Sequence, residues 1–202
     1  VIVNSGMLIT NFINKLKEKN IGGLEKLAYI PGTIGGMIKM NASAYNCNIT
    51  DYLNYITCID EKGELVIYNK KELNFNYRSS SIKDYNIILN CCFELEYKEK
   101  NEINNVIDNI QKDRYLKQPL EYYNAGSTFK NASCSAWKLI DKVGLRGYQI
   151  NDAMISNKHC NFLLNKGNCK SEDMLALINL IKRKVSEELG FTLECEWVYI
   201  NF

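Results

Sequence analysis

Four short stretches of the chain carry residue types at spacings that could do chemistry. In Ile30-Pro31-Gly32-Thr33-Ile34-Gly35-Gly36, glycine permits close approach and unusual dihedrals, so consecutive backbone N–H groups could face a ligand at a helix start. That geometry suits a phosphate or the edge of a flavin ring; an ordinary Pro-Gly turn is the alternative. Tyr77-Arg78-Ser79-Ser80-Ser81 sets an arginine at the end of an expected strand among hydroxyls, a natural clamp for a carboxylate or else a surface arginine. In Asn124-Ala125-Gly126-Ser127-Thr128-Phe129-Lys130-Asn131 a serine follows two small residues. Ser127 could be a nucleophile, a proton donor or a helix cap. No GxSxG elbow accompanies it, and His159, the single histidine, has no visible Asp orienter, which argues against a hydrolase. In Leu193-Glu194-Cys195-Glu196-Trp197 the alternation of a strand would put Glu194 and Glu196 on one face. Like charges there raise a carboxyl pKa if the face is enclosed, and are merely solvated if it is open.

The elements that must position these groups follow from periodicity. Leu8, Phe12, Ile13 and Leu16 share one face of a helix expected over Leu8 to Lys19. The run from Met37 to Tyr45 is rich in small residues and suits a closely packed helix. Leu53 to Asp60 and Leu65 to Tyr68 flank Glu61-Lys62-Gly63-Glu64 and read as a hairpin, with a further strand over Ile87 to Tyr97. The charged stretch Lys98-Glu99-Lys100-Asn101 marks a boundary, dividing the chain into residues 1–98 and 99–202. Beyond it an amphipathic helix runs from Glu102 to Leu116, stopping before Pro119. A short helix is expected over Ala136 to Lys142, and strands over Ala153 to Ile155 and Asn161 to Asn165. The clearest helix has Ser171 as N-cap, Met174, Leu177, Ile178, Ile181 and Val185 on one face, and Gly190 as its stop. A strand over Leu193 to Ile200 closes the chain. Helices and strands do not alternate with a doubly wound pulse, so the class is α+β.

Composition narrows the function. With 202 residues, 46% hydrophobic and 24% charged, the chain can build one large or two modest cores, and collagen-like, disordered and coiled-coil readings fall away. The 25 basic and 23 acidic residues give a net charge of +2, so no sequence-wide field holds nucleic acid or an anionic membrane. An anionic ligand needs a local site. Only four basic residues are arginine, Arg78, Arg114, Arg146 and Arg183, which singles each out, because arginine alone offers a planar, always-charged fork. Cys91-Cys92 are adjacent and no signal peptide opens the chain, so its eight cysteines read as reduced thiols. Without CxxC and with one histidine, a structural metal is not expected. No apolar run approaches the ~20 residues that span a bilayer, so a soluble protein is expected. Val1-Ile2-Val3 before Asn4-Ser5-Gly6 reads as the end of a strand introduced further upstream.

Taken in order, Gly23-Leu24-Glu25, Ile30 to Gly36, Met40-Asn41-Ala42, Ala44-Tyr45, Tyr77-Arg78-Ser79, Gln118-Pro119, Ala125-Gly126-Ser127, Phe129-Lys130, Lys138-Leu139-Ile140, Gly144-Leu145, Lys158-His159 and Leu193-Glu194-Cys195-Glu196 resemble the UDP-N-acetylenolpyruvoylglucosamine reductase (MurB) family, in its shorter type. The resemblance covers essentially the whole chain. It implies the second half of a two-lobed FAD-binding domain followed by an α+β substrate-binding domain, in a cytoplasmic bacterial enzyme of peptidoglycan precursor synthesis. It implies FAD as cofactor, NADPH as hydride donor and a UDP-sugar as substrate, with no nucleic acid or membrane partner. Arg78, Ser127 and Glu196 fall on the catalytic positions of the family pattern. Ile30, Pro31, Gly32, Thr33, Gly35, Gly36 and Asn41 fall on cofactor positions, and Lys117 and Asn131 on positions that hold the UDP portion. The chain departs from the pattern in four places. The first FAD-binding lobe is absent, Ala132 and Cys195 stand where the family usually has proline, and the glycine-rich ending is not met by Phe202. A non-catalytic remnant that binds a UDP-sugar is the alternative function.

Overall fold

The structure, a computed structural model, describes residues 1–131 and 133–200. Ala132 and Phe202, two of the departures named above, lie outside the described residues. The chain forms two compact units, Val1–Lys112 and Asp113–Phe202.

In order, the first unit contains β1 (Ile2–Asn4), α1 (Ile9–Glu18), β2 (Ile21–Gly22), α2 (Ile34–Lys39), β3 (Ser43–Ala44), β4 (Cys47–Asn48), β5 (Leu53–Ile59), β6 (Leu65–Asn69), β7 (Phe75–Asn76), β8 (Ser79–Ser80), β9 (Ile87–Phe93) and β10 (Glu96–Tyr97). The helix α3 (Lys100–Lys117) follows. An antiparallel sheet of order β1-β9-β5-β6 is its frame. Alternation along the strands turns Val3, Ile56, Cys58, Cys91 and Phe93 to one core, which α1 covers with Ile9, Phe12, Ile13 and Leu16, and α2 with Ile34, Met37 and Ile38. Each Val, Leu, Ile, Met or Phe among them, fully buried, contributes about 1.5–3 kcal/mol.

Three expectations are corrected in this unit. The helix expected over Met37 to Tyr45 is instead α2, ending at Lys39, because Asn41, Tyr45 and Asn46 take positive φ (42°, 51° and 57°) and turn the chain into the β3-β4 hairpin. The strand expected over Ile87 to Tyr97 breaks after Phe93: Glu94 donates its N–H to Tyr52 O at 2.8 Å, and the chain then pairs with β2 as β10. Arg78 does not end a strand. With Tyr77 it forms the two-residue turn between β7 and β8, at φ 55°.

The second unit holds α4 (Ala136–Lys142), β11 (Gln149–Ile150), β12 (Ala153–Ile155), β13 (Leu163–Asn165) and α5 (Ser171–Leu189). The antiparallel sheet β11-β12-β13 shares a core with both helices, built from Leu139 and Ile140, Ala153, Ile155 and Leu163, and Leu177, Ile178, Ile181 and Val185. The N-cap of α5 is Lys170 rather than Ser171, and the Asp173 carboxylate accepts from its N–H at 3.2 Å. Gly190 ends the helix at φ 69°, the left-handed conformation that glycine adopts without a Cβ penalty. The strand expected over Leu193 to Ile200 reduces to one bridge, Phe129 with Cys195.

Candidate functional site

In the first unit, the Ile30 to Gly36 segment enters α2 through Thr33, the N-cap, whose Oγ1 accepts from Gly36 N–H at 3.4 Å. The expectation that consecutive amides here face a ligand is corrected. Ile34 N–H donates to Met7 O and Gly35 N–H to Ser5 O, both at 2.9 Å, so the first two amides of α2 are taken up by the Ser5 to Met7 loop. What the segment offers is space. Thr33, Gly35 and Gly36 line a cleft of about 340 Å³ with Ser5, Gly6, Lys39, Asp84 and Asn86. Lys39 pairs with Asp84 at 2.7 Å, which holds the Asp84 carboxyl below its usual range by hydrogen bond and charge. Asn86 Oδ1 is buried with no hydrogen-bond partner.

Ile30, Pro31, Gly32 and Asn41 are not among the residues lining the cleft. Ile30 packs against the core, Pro31 is exposed, and Gly32 O accepts from Ile9 N–H at 3.1 Å. Both ends of the Asn41 carboxamide are engaged within the protein: Thr50 Oγ1 donates to its Oδ1 at 2.6 Å, and its Nδ2 donates to Asn76 O at 3.1 Å. Arg78 is half-buried. Its Nη1 donates to Ser43 Oγ at 2.8 Å, and its guanidinium lies 4.8 Å from the centre of the Tyr77 ring.

In the second unit, Ser127 to Lys130 runs extended between two other segments. On one side Ser127 bridges Phe162, and Thr128 N–H donates to Asn161 O at 2.8 Å. On the other, Glu196 N–H donates to Thr128 O at 2.8 Å and Lys130 N–H to Glu194 O at 2.9 Å. This register brings Ser127 and Glu196 onto adjacent extended segments. The two glutamates differ in surroundings: Glu194 is exposed and paired with Lys130, whereas Glu196 is half-buried. Ser127 lies in extended chain with no helix starting until Ala136, so it is not a helix cap. The N-cap of α4 is Ser135, and Asn131 Oδ1 accepts from the first amide of the helix, Ala136 N–H, at 3.0 Å. Lys117 pairs with Asp113 one turn back at 2.5 Å. His159 is packed rather than poised: its ring meets Phe162 edge-on at 5.0 Å, its Nδ1 accepts from Asn161 N–H at 3.3 Å, and burial lowers its pKa.

Comparison with known proteins matches both units. Residues 1–69 match the FAD binding domain family, and residues 118–200 match the C-terminal domain of UDP-N-acetylenolpyruvoylglucosamine reductase. The crystal structure of MurB from Thermus caldophilus superposes with a TM-score of 0.87 at 34% identity, covering 98% of this chain and 71% of that one. The chain belongs to the UDP-N-acetylenolpyruvoylglucosamine reductase family. Reductases of that name from Clostridium botulinum and Orientia tsutsugamushi are each 41% identical over 97% of this chain. The chain spans 65% of the length of these relatives.

For a member of this reductase family, three structurally important side chains carry little signal in the sequence. Glu25 is 4% exposed, accepts from Gly23 N–H through both carboxylate oxygens at 3.0 Å and pairs with Lys98 at 3.6 Å. A Cβ on Gly22 would sit 2.3 Å from Glu25 Oε1, so the preceding glycine makes room for that carboxylate. The Gly-Leu-Glu run was visible in the sequence, but its burial was not. Asn161 and Asn86, one buried in a main-chain role and the other offering an unpartnered oxygen, are lost among the many asparagines of the chain. No helix among the described residues is long and apolar enough to cross a membrane.

Proposed function

We propose that this chain holds FAD and the UDP-sugar substrate in an enzyme that reduces the enolpyruvyl ether of UDP-N-acetylenolpyruvoylglucosamine to a lactyl ether, with NADPH as reductant. The observation that carries the reading is the register of the second unit, in which Glu196 N–H bonds the carbonyl beside Ser127 while Glu194 is tied to Lys130.

The cleft of the first unit suits the cofactor. Gly6, Gly35 and Gly36 contribute wall without side chains, and the Lys39–Asp84 pair and Asn86 add polar groups to its lining. FAD supplies the hydride chemistry when bound. The residues of the chain supply the rest. A carbon–carbon double bond conjugated to a carboxylate accepts hydride at its terminal carbon only if the charge arriving on the carboxylate side is stabilised. Arg78, with its planar fork, clamps that carboxylate. Glu196 stabilises the enol-like charge. Ser127 gives its hydroxyl proton to the adjacent carbon, a transfer an alkanol makes only to a strongly basic centre within hydrogen-bond reach. Lys117 and Asn131 hold the UDP portion, Lys117 as a point charge for phosphate.

The test is to purify the full gene product, titrate it with FAD and follow NADPH oxidation with UDP-N-acetylenolpyruvoylglucosamine. The expected result is a yellow protein whose NADPH oxidation requires that substrate and yields the saturated ether by mass spectrometry. A colourless protein that binds the UDP-sugar and consumes no NADPH would establish the non-catalytic alternative instead.

A further inference from the structure

We propose that Asn41 is a positioning residue for Arg78, acting through the main chain of the hairpin that carries it; this rests on the reading of Arg78 as the carboxylate clamp.

The β7-β8 hairpin is short, and Arg78 sits in its turn at φ 55°. That region is favoured by glycine, asparagine and aspartate, and an arginine stays there only when its surroundings hold it. The hairpin is held by one stretch of chain, Lys39 to Ser43, at three points. Ser80 Oγ donates to Lys39 O at 2.7 Å, Asn41 Nδ2 donates to Asn76 O at 3.1 Å, and Ser43 Oγ accepts from Arg78 Nη1 at 2.8 Å. The first two fix the strands on either side of the turn, and the third fixes the guanidinium. Asn41 is the buried member of the set, 9% exposed.

Its carboxamide has its own anchor. Thr50, 5% exposed, donates its hydroxyl to Asn41 Oδ1 at 2.6 Å. Asn76 O can only accept, so the NH₂ end faces it, and the Thr50 hydroxyl donates to the oxygen at the other end. Asn41 itself is at φ 42°, a conformation asparagine tolerates. The chain Thr50, Asn41, Asn76 thus runs from the buried interior to the residue two before Arg78.

Asn41→Asp tests the assignment in the full gene product. Aspartate keeps the acceptor for Thr50 and tolerates the same φ, but loses the donor toward Asn76 O. Rapid-mixing absorbance separates flavin reduction by NADPH from flavin reoxidation by substrate. The expected result is reoxidation slowed by about 10²-fold, the effect of a catalytic group displaced by about an ångström, with flavin reduction and FAD affinity unchanged. In an Arg78→Lys background, Asn41→Asp should add less than about threefold, because a residue acting through Arg78 has little left to position. Equal costs of Asn41→Asp in both backgrounds, or loss of FAD affinity, would overturn the proposal. Should Asn41→Asp not fold, Thr50→Val leaves Asn41 in place without its anchor and should slow reoxidation selectively and non-additively with Arg78→Lys; an additive effect overturns it. Arg78→Lys alone tests the underlying reading: if it spares reoxidation, the clamp assignment fails whatever Asn41 does, and the proposal fails with it.

Discussion

The carboxamide of Asn161 pairs with both main-chain groups of Phe129: its Oδ1 accepts from Phe129 N–H at 2.9 Å, and its Nδ2 donates to Phe129 O at 2.8 Å. One side chain thereby takes the place of a strand neighbour along Ser127 to Lys130, the segment that also carries the bridge to Cys195.

Asn161 and Phe129 are 3% and 1% exposed, so no water replaces a lost partner. Asn161→Ala leaves two buried main-chain groups unpaired, at about 1–3 kcal/mol each. The expected loss is about 2–5 kcal/mol in urea unfolding followed by tryptophan fluorescence, since Trp137 and Trp197 both lie in this unit. Asn161→Asp keeps the acceptor and should lose about half as much. A change within about 0.5 kcal/mol, the range of ordinary surface substitutions, would show that the pairing contributes nothing.

Ser127→Ala should leave flavin reduction by NADPH near normal and slow flavin reoxidation by substrate, because proton delivery belongs only to the second half-reaction. The side chain lies in extended chain rather than at a helix start, so its loss removes no cap and the fold should persist. Stopped-flow absorbance resolves the halves. An equal loss in both would remove Ser127 from the role of proton donor.

The two glutamates of the C-terminal segment should behave differently. Glu196→Gln keeps size and hydrogen bonding while removing the carboxyl group, and should slow the substrate half-reaction by roughly 10²-fold or more. Glu194→Gln breaks an exposed pair with Lys130, a contact typically worth under about 1 kcal/mol, and should leave the rate near normal. Equal effects at the two positions would mean that the wrong glutamate has been chosen.

How far this arrangement was legible in the sequence depends on how local each signal is. Helix α5 was legible because Met174, Leu177, Ile178, Ile181 and Val185 repeat at helical spacing and Gly190 follows. The β5-β6 hairpin was legible because Gly63, at φ 80°, marks its turn. Local patterns singled out the stretches around Gly35, Arg78, Ser127 and Glu196 but left their roles open, and family motifs added the roles. What escaped depended on distant partners. The alternation of Leu193 to Trp197 is real, but its only bridge is to Phe129, and a strand needs a neighbour as long as itself. The turn at Arg78 lacks the glycine or asparagine that usually marks such a turn, because the Lys39 to Ser43 segment holds it from outside. Asn161 meets Phe129 across 32 residues, a separation at which no spacing rule operates.

Stability of the second unit should carry a pH dependence from His159. Burial lowers its pKa below the ordinary 6.5, with the charge of Arg146 acting in the same direction. The folded state therefore binds the proton less readily than the unfolded chain. The stabilisation is present in full above the unfolded value and is lost as pH falls through the lower folded value. Comparing wild type with His159→Gln in urea at about pH 7.5 and about pH 5 isolates this group from the carboxylates. The difference in stability between the two proteins should shift against the wild type at the lower pH. A difference independent of pH would mean that the imidazole is equally protonated in both states.

Gly35 and Gly36 are adjacent in α2 and should respond oppositely to alanine. Alanine ordinarily favours a helix over glycine by about 1 kcal/mol. A Cβ at Gly36 would meet only Thr33 Oγ1, at 3.4 Å, so Gly36→Ala should be neutral or slightly stabilising. At Gly35 the added carbon would sit 2.8 Å from Ser5 Cβ and 3.4 Å from Ser5 O. That same carbonyl accepts from Gly35 N–H, so the loop cannot retreat without losing the bond. Overpacking of this kind costs typically about 1–3 kcal/mol and outweighs the gain in propensity. Gly35→Ala should therefore lower the melting temperature. It should also weaken FAD binding, because Ser5 and Gly35 line the same cleft. Fluorescence titration with FAD alongside thermal unfolding checks both effects. If Gly35→Ala proves as stable as Gly36→Ala and binds FAD as tightly, the Ser5 to Met7 loop is not the fixed wall that these contacts describe.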